Sequence, residues 1–206
     1  MPVTVAEAFA AIDLSQDDIA TVRWRTKPAR SNSGVYIVSL TSSLDSCHGN
    51  LSEPALAEIE FRRWLDVCPS MTLDGIEPCV RQLIDRISRF WIPDEVILYI
   101  GKATDLPSRL DAYYRTSIGK SSPHSGGYFL KLLSNLDQLW VHYAECKDPE
   151  SAEDIMLQRF CENVSQGSRE ALHDPAHPFP FANLEWPKGT FKAHGLRDAR
   201  EVRRRI

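Results

Sequence analysis

The stretch VILYIGKATDLPSRLDAYY, Val96–Tyr114, decides the predicted fold. Its first residues are apolar and β-branched, which predicts a strand that ends at Tyr99-Ile100-Gly101. A polar turn follows, in which Thr104 or Asp105 is placed to cap a helix from about Leu106. A strand that gives way to a helix at a glycine is suited to holding a phosphate.

Two side chains of this predicted helix face the same way. Arg109 and Tyr113 are four residues apart, so they share one helix face. A guanidinium there offers a bidentate clamp for a phosphate, and the alternative is a solvated arginine with an ion-pair partner. Before the helix, Gly101 lacks a side chain where a ligand must approach the backbone, and Lys102 follows it.

A second tyrosine is expected beside this strand. The segment Gly34–Leu40, GVYIVSL, is rich in β-branched residues and predicts another strand. If the two strands pair, Tyr36 and Tyr99 come close together, each with a phenol that donates or accepts a hydrogen bond. The alternative is that both are amphipathic residues at the edge of the core.

A carboxylate heads an otherwise apolar helix face further along the chain. Asp148-Pro149 is a strong helix start, and the helix should continue to about Val164. Glu153 leads a stripe of inward-facing residues at helical spacing: Met156, Leu157, Phe160, Cys161 and Val164. An acid on such a face needs a cation or a metal, unless it lies at the exposed end of the stripe near the helix N-terminus.

Composition narrows the function classes. The 206-residue chain fits one domain with a sizeable insertion, and no apolar run approaches the roughly 20 residues that span a bilayer. Its five cysteines lack C-x-x-C spacing, which argues against a disulfide framework or a zinc site. No basic leader precedes the first acids, so we expect a cytoplasmic protein without membrane contact. Phosphate-loop and serine-hydrolase motifs are absent from the sequence.

Charge is unevenly distributed. The net charge of −4 argues against nucleic-acid binding, but two basic patches stand out from it. One comprises Arg23, Arg25, Lys27 and Arg30. The other is the end of the chain from Lys188, which contains seven Lys or Arg residues and only two acids. This tail would contact backbone phosphates, or it is a solvated and frayed terminus.

Together these pieces resemble the GIY-YIG nuclease family. Gly34-Val35-Tyr36 is similar to its first triplet and Tyr99-Ile100-Gly101 to its second. The residues that follow the second triplet, Lys102, Arg109 and Tyr113, are similar in order and spacing to a set in the family, most closely in the N-terminal domain of nucleotide-excision repair incision nucleases. Glu153 resembles the family's metal-binding glutamate and Asn183 its late asparagine.

The resemblance implies a fold. We expect an α+β protein with a small central three-stranded antiparallel sheet flanked by helices. The two triplets usually lie close together, whereas Tyr36 and Tyr99 are 63 positions apart here, so residues 41–95 form a mainly helical insertion. The nuclease-like domain covers 34–185. A helical and basic arm, 1–33, precedes it, and the basic tail, 186–206, follows.

The resemblance also implies an activity. We expect a Mg²⁺-dependent endonuclease, with Mn²⁺ able to substitute, that hydrolyses phosphodiester bonds in DNA in a restriction or defence setting. Glu153 would hold the metal and Arg109 the non-bridging oxygens. Tyr36 would orient or deprotonate the attacking water, with Lys102 lowering its pKa, and two further phenols would hold the phosphate, Tyr99 and Tyr113.

Five further residues are predicted to bind the substrate: Gly101, His124, Asn183, Lys188 and Lys192. Cleavage of both DNA strands by chains with one site each would favour a homodimer. The alternatives are an inactive nucleic-acid-binding module with the same fold, a repair-type structure-specific nuclease, and an accidental likeness in a structural or interaction domain.

Overall fold

The computed structural model describes residues 1–29, 32–47, 51–124 and 126–201. The arginines at position 30 and at positions 203–205, which belong to the two basic patches, lie outside these ranges. Within them, no helix is both long enough and apolar enough to cross a membrane.

The described residues form six α-helices and six strands. The helices are α1 (Val5–Ala10), α2 (Glu58–Val67), α3 (Val80–Ser88), α4 (Leu106–Arg115), α5 (Pro149–Asn163) and α6 (Gln166–Ala171). The strands are β1 (Ala20–Arg23), β2 (Gly34–Ser39), β3 (Thr72–Leu73), β4 (Ile97–Ala103), β5 (Trp140–Glu145) and β6 (Leu196–Arg197).

The fold is α+β, as the sequence predicts. Its main sheet has the order β1-β5-β2-β4, and every neighbouring pair is antiparallel. The sheet therefore has four strands where three were expected. The additional strand is β1, only four residues long, which the sequence pattern does not reveal because its pairing with β5 stabilises it. Thr21 Oγ1 and His142 Nδ1 form a 2.8 Å hydrogen bond across this pair.

Strand β4 carries the second triplet past the glycine. Gly101 pairs with Tyr36, and the register continues until Ala103 pairs with Gly34. The prediction that the strand ends at Gly101 was wrong, because pairing with β2 holds two more residues in the ladder. The two triplets therefore lie on adjacent strands and meet where Tyr36 pairs with Gly101, while Tyr99 pairs with Val38.

Local capping fixes where the two helices of interest begin. Asp105 is the N-cap of α4, and its carboxylate accepts a 2.7 Å hydrogen bond from the amide of Ser108. Asp148 caps α5 in the same way through the amide of Ser151, at 3.1 Å. Of the two residues predicted to cap α4, Asp105 therefore does so.

The insertion and the end of the chain pack against each other. Strand β3 of the insertion pairs with β6, and the indole Nε1 of Trp64 donates a 2.7 Å hydrogen bond to the carbonyl of Ala199. The amide of Glu201 donates to the carbonyl of Gly119 at 2.7 Å. The segment predicted as a basic tail is therefore part of the fold as far as Glu201.

Candidate active site

Strand β4, helices α4 and α5 and the C-terminal segment enclose a cleft of about 1030 Å³. Six of the predicted site residues line this single space, although they come from four separate parts of the chain: Tyr99, Lys102, Arg109, Glu153, Asn183 and Lys188. A clamp for phosphate and a ligand for metal must share one site to act on one phosphate. The cleft meets this requirement.

Lys102 bridges two carboxylates at one wall of the cleft. Its Nζ lies 2.6 Å from Glu150 Oε1 and 2.8 Å from Glu153 Oε2. Burial alone would lower the pKa of Lys102, but the hydrogen bonds to both glutamates outweigh it and raise this pKa. Burial raises the pKa of Glu153 more than Lys102 lowers it. The Glu153 carboxylate is therefore held where a negative charge needs a nearby cation.

Arg109 projects from α4 into the same cleft. Its Nε is buried and has no hydrogen-bond partner among the described residues. Buried donors in proteins are nearly always paired, so an unpaired one is a candidate contact for a ligand. A phosphate oxygen is an acceptor of the right kind.

Tyr36 lies behind the cleft rather than in its lining. Its ring is fully buried, 5.8 Å from the ring of Tyr99 between centroids. Burial raises the pKa of Tyr36 to about 12, and the nearby Arg109 opposes that rise. The phenol is therefore neutral at ordinary pH, and the cation that acts on it is Arg109. The raised pKa disfavours the predicted role of Tyr36 as a base, and the group that lowers this pKa is Arg109 rather than the predicted Lys102.

Gly101 makes room for these rings. A Cβ atom at this position would lie 2.6 Å from Cε1 of Tyr99 and 2.8 Å from Cζ of Tyr36. No real Cβ contact is that short, so the space beside the glycine is already filled by the two phenols. The prediction that Gly101 opens the backbone to a ligand is replaced by a packing role.

Tyr113 and His124 support the site from outside the cleft lining. The Tyr113 hydroxyl donates a 2.6 Å hydrogen bond to the carbonyl of Gly127, so its proton is not offered to a phosphate. The His124 ring packs 4.4 Å from the Tyr113 ring, and burial lowers the pKa of His124 to about 3. Both were predicted to contact the substrate. Tyr113 instead holds the loop that carries Gly126 and Gly127 in the cleft wall, and the His124 ring packs against Tyr113.

Asn183 docks the C-terminal segment onto the edge of the sheet. Its side-chain amide pairs with both backbone groups of Ile100, accepting from the nitrogen at 2.9 Å and donating to the oxygen at 2.8 Å. The amide of Ala182 adds a 2.9 Å hydrogen bond to the carbonyl of Leu98. The side-chain amide of Asn183 therefore binds the free edge of β4 and is not available to a substrate.

Lys192 is not in the cleft. Its side chain is buried, and its Nζ donates to the carbonyls of Pro180 and Phe181 at 2.8 and 3.1 Å. Burial lowers the pKa of Lys192 to about 7. The predicted contact with substrate is wrong, because the ammonium points into the protein. Lys188, four residues earlier, is exposed and does line the cleft.

Sequence reasoning missed Glu150 and Asp154. Glu150 is the second partner of Lys102, and the signal for it was its position three residues before Glu153 on one face of α5. Asp154 Oδ1 accepts a 3.0 Å hydrogen bond from Trp186 Nε1, which ties the C-terminal segment to α5. The local sequence does not predict the contact between Asp154 and Trp186.

Two carboxylates of the cleft are of the type that a hard divalent cation binds. Among the described residues, the cleft lining includes six carboxylates and four Lys or Arg side chains, and Glu150 and Glu153 present oxygen donors at the same point. No group of three or more His, Cys, Asp or Glu residues gathers into a metal cage within the described ranges. Glu153 and Glu150 are therefore the residues that would hold such an ion.

Comparison with known proteins adds no relative. No protein-family model, no curated protein and no solved structure matches this chain. The function must be argued from the cleft itself.

Proposed function

We propose that this chain is a divalent-metal-dependent endonuclease that hydrolyses phosphodiester bonds in DNA. The observation that carries the proposal is the single cleft that holds Arg109, Lys102 and Glu153 beside the paired tyrosines of β2 and β4. The GIY-YIG resemblance supports it further, since the two triplets lie on adjacent antiparallel strands, β2 and β4, and meet at the pair of Tyr36 and Gly101. Strand β1 then extends a three-stranded core.

Each residue has a role that follows from its position. Arg109 binds the non-bridging phosphate oxygens through its unpaired buried nitrogen and stabilises the charge that develops on them. Tyr99, in the cleft lining, donates a hydrogen bond from its phenol to the phosphate. Tyr36 packs behind the Tyr99 ring as a neutral hydrogen-bond donor. Lys102 keeps positive charge beside the reacting group.

Glu153, with Glu150 beside it, would hold Mg²⁺ or Mn²⁺. When bound, the ion supplies Lewis-acid stabilisation of the phosphoryl oxygens and of the leaving group. The excess of carboxylates over cations in the cleft means that a phosphate is repelled unless extra positive charge is present. Metal and DNA should therefore bind cooperatively.

The test is cleavage of supercoiled plasmid by the full chain with Mg²⁺ and with EDTA. The wild-type protein should nick or linearise the plasmid only with the metal. Glu153→Gln should lower the rate by about 10³-fold, because it removes the charged ligand while keeping the shape. Glu162→Gln is the matched control, since Glu162 is exposed on the same helix and lies outside the cleft lining.

Wild-type cleavage by Glu153→Gln would contradict the assignment of the metal ligand. Absence of cleavage on plasmids, branched DNA and RNA by the wild-type protein would favour the rival function, a non-catalytic nucleic-acid-binding module. One observation favours that rival: the Lys102 ammonium already bridges Glu150 and Glu153, where a divalent ion would otherwise be expected.

A further inference from the structure

Phe191 is a large apolar side chain left in solvent at the cleft. It is 57% exposed, and it lines the same space as Arg109 and Glu153. Exposing an aromatic ring has no benefit for folding, because burying it would remove apolar surface from water. Four other large apolar side chains among the described residues are exposed as well, but Phe191 is the one that lines the cleft.

The ring stands on a rigid hairpin. Glu185 and Phe191 form an antiparallel bridge, and the amide of Trp186 donates to the carbonyl of Thr190 at 2.9 Å. The turn between them is closed by the amide of Gly189, which donates to Glu185 Oε1 at 2.8 Å. These contacts fix the backbone that carries Phe191, so little freedom is lost when the ring meets a ligand.

The next residue anchors the hairpin to the core. The backbone amide of Lys192 donates to the carbonyl of Leu184 at 2.8 Å, and its buried side chain binds two further carbonyls. On the other side, Trp186 Nε1 binds Asp154, the residue after the proposed metal ligand Glu153. Phe191 is thus held in a fixed relation to α5 and to the site of cleavage.

We infer that Phe191 is a stacking platform for an unpaired nucleobase next to the scissile phosphate. The inference rests on the proposed function and narrows its substrate class to DNA that is single-stranded or locally unpaired at the site. Aromatic rings stack on any base, because every base has a π face. Lys188, on the same hairpin, faces the cleft with a cation suited to the neighbouring phosphate.

The surroundings of Phe191 favour a base over a protein surface. Most residues of the hairpin are polar, charged or small, and its one other ring, Trp186, is tied to Asp154 through its Nε1. A protein interface of ordinary stability needs a contiguous patch of many apolar residues. One exposed ring among mostly polar groups matches the shape of a base, which has two apolar faces and a polar edge.

The test compares two probes that differ only in their bases. One is a fluorescein-labelled oligothymidylate, and the other is the same backbone built from abasic residues. Binding is measured by fluorescence anisotropy with Ca²⁺ in place of Mg²⁺, so that affinity is read without relying on turnover. The wild-type protein should bind the thymidylate about tenfold more tightly than the abasic strand.

Phe191→Ala should lower affinity for the thymidylate by about tenfold and leave the abasic strand unchanged. Phe191→Trp should keep the preference. Ile76→Ala is the matched control, because Ile76 is 70% exposed on the insertion and lies outside the cleft lining. It should change neither affinity.

Three results would overturn the inference. Phe191→Ala could lower the affinities for the thymidylate and the abasic strand equally, or it could leave both affinities unchanged. Either result excludes stacking. Phe191→Ala could instead abolish self-association in sedimentation, which assigns the ring to contact with a second copy. If wild-type protein cleaves plasmid in either case, the proposed function survives; if it binds no probe and cleaves nothing, both proposals fail.

Discussion

Lys102 and Lys192 were both predicted to serve the site, and the structure gives them opposite surroundings. Lys102 lies at the cleft wall between two carboxylates, which raise its pKa. Lys192 lies beneath the cleft, where its Nζ donates hydrogen bonds to two backbone carbonyls and burial lowers its pKa to about 7.

The difference separates two uses of one side chain. Charged partners raise the pKa of Lys102 and favour its protonated form. Carbonyl partners use Lys192 as a hydrogen-bond donor that joins Phe181 and Pro180 to the hairpin. The cleft depends on charge, whereas the segment beneath it that contains Lys192 depends on hydrogen bonds and packing. The following experiments test this difference between the two lysines.

The largest effect should come from exchanging each lysine for methionine. Lys102→Met is expected to lower plasmid cleavage by about 100-fold with a small change in melting temperature, because it removes positive charge from the reacting group. Lys192→Met should leave the rate per folded molecule near the wild-type value. Equal losses of activity in the two variants would erase the distinction between the cleft and the segment beneath it.

The second effect is on stability. Asn183→Leu should reduce the free energy of unfolding by about 2 kcal/mol, because it leaves the buried amide and carbonyl of Ile100 unpaired. Urea denaturation measures this loss. Asn163→Ala is the control, since that amide contacts one carbonyl at the exposed end of α5. A loss no greater than in the control would show that Asn183 does not brace β4.

The third effect is a pH dependence. The folded-state pKa of Lys192 is about 7, below its ordinary value of 10.5, so the unfolded chain binds more protons between these two values. Stability should therefore rise with pH across this window, by at most ~1.4 kcal/mol per pH unit from this group. Lys192→Met should flatten the rise in urea denaturation. Lys188→Met, which alters an exposed lysine, should not.

The smallest effect should follow Glu150→Gln. Glu150 is 71% exposed at its side chain, so losing its ion pair with Lys102 should change stability by no more than about 1 kcal/mol. The Mg²⁺ concentration for half-maximal cleavage should rise a few-fold, because one oxygen charge is lost beside Glu153. Glu145→Gln, on β5 outside the cleft lining, is the matched control.

Features that depend on near neighbours in sequence were predictable. The caps of α4 and α5 each join a side chain to an amide three residues away, so Asp105 and Asp148 reveal them. The stripe headed by Glu153 follows from helical spacing alone, and Met156 is indeed buried. The same local reasoning placed Arg109 on the face that reaches the cleft.

Features that depend on distant partners were not predictable. Strand β1 is held by residues more than a hundred positions later, and four residues carry no pattern of their own. The sequence marks Gly101 as a missing side chain but cannot say that two tyrosines fill the gap. The sequence also does not predict that Lys192, a lysine in a polar segment, points into the protein.

The pairing of the insertion with the C-terminal segment bears on when the site can form during synthesis. The indole of Trp64 gains its hydrogen-bond partner only when Ala199, 135 residues later, has been synthesised. At the usual pace of translation, the wall that carries Lys188 and Phe191 emerges about 2–8 s after Glu153. A nascent chain therefore contains Arg109 and Glu153 before it has this wall, so the cleft is complete only after the wall has been made.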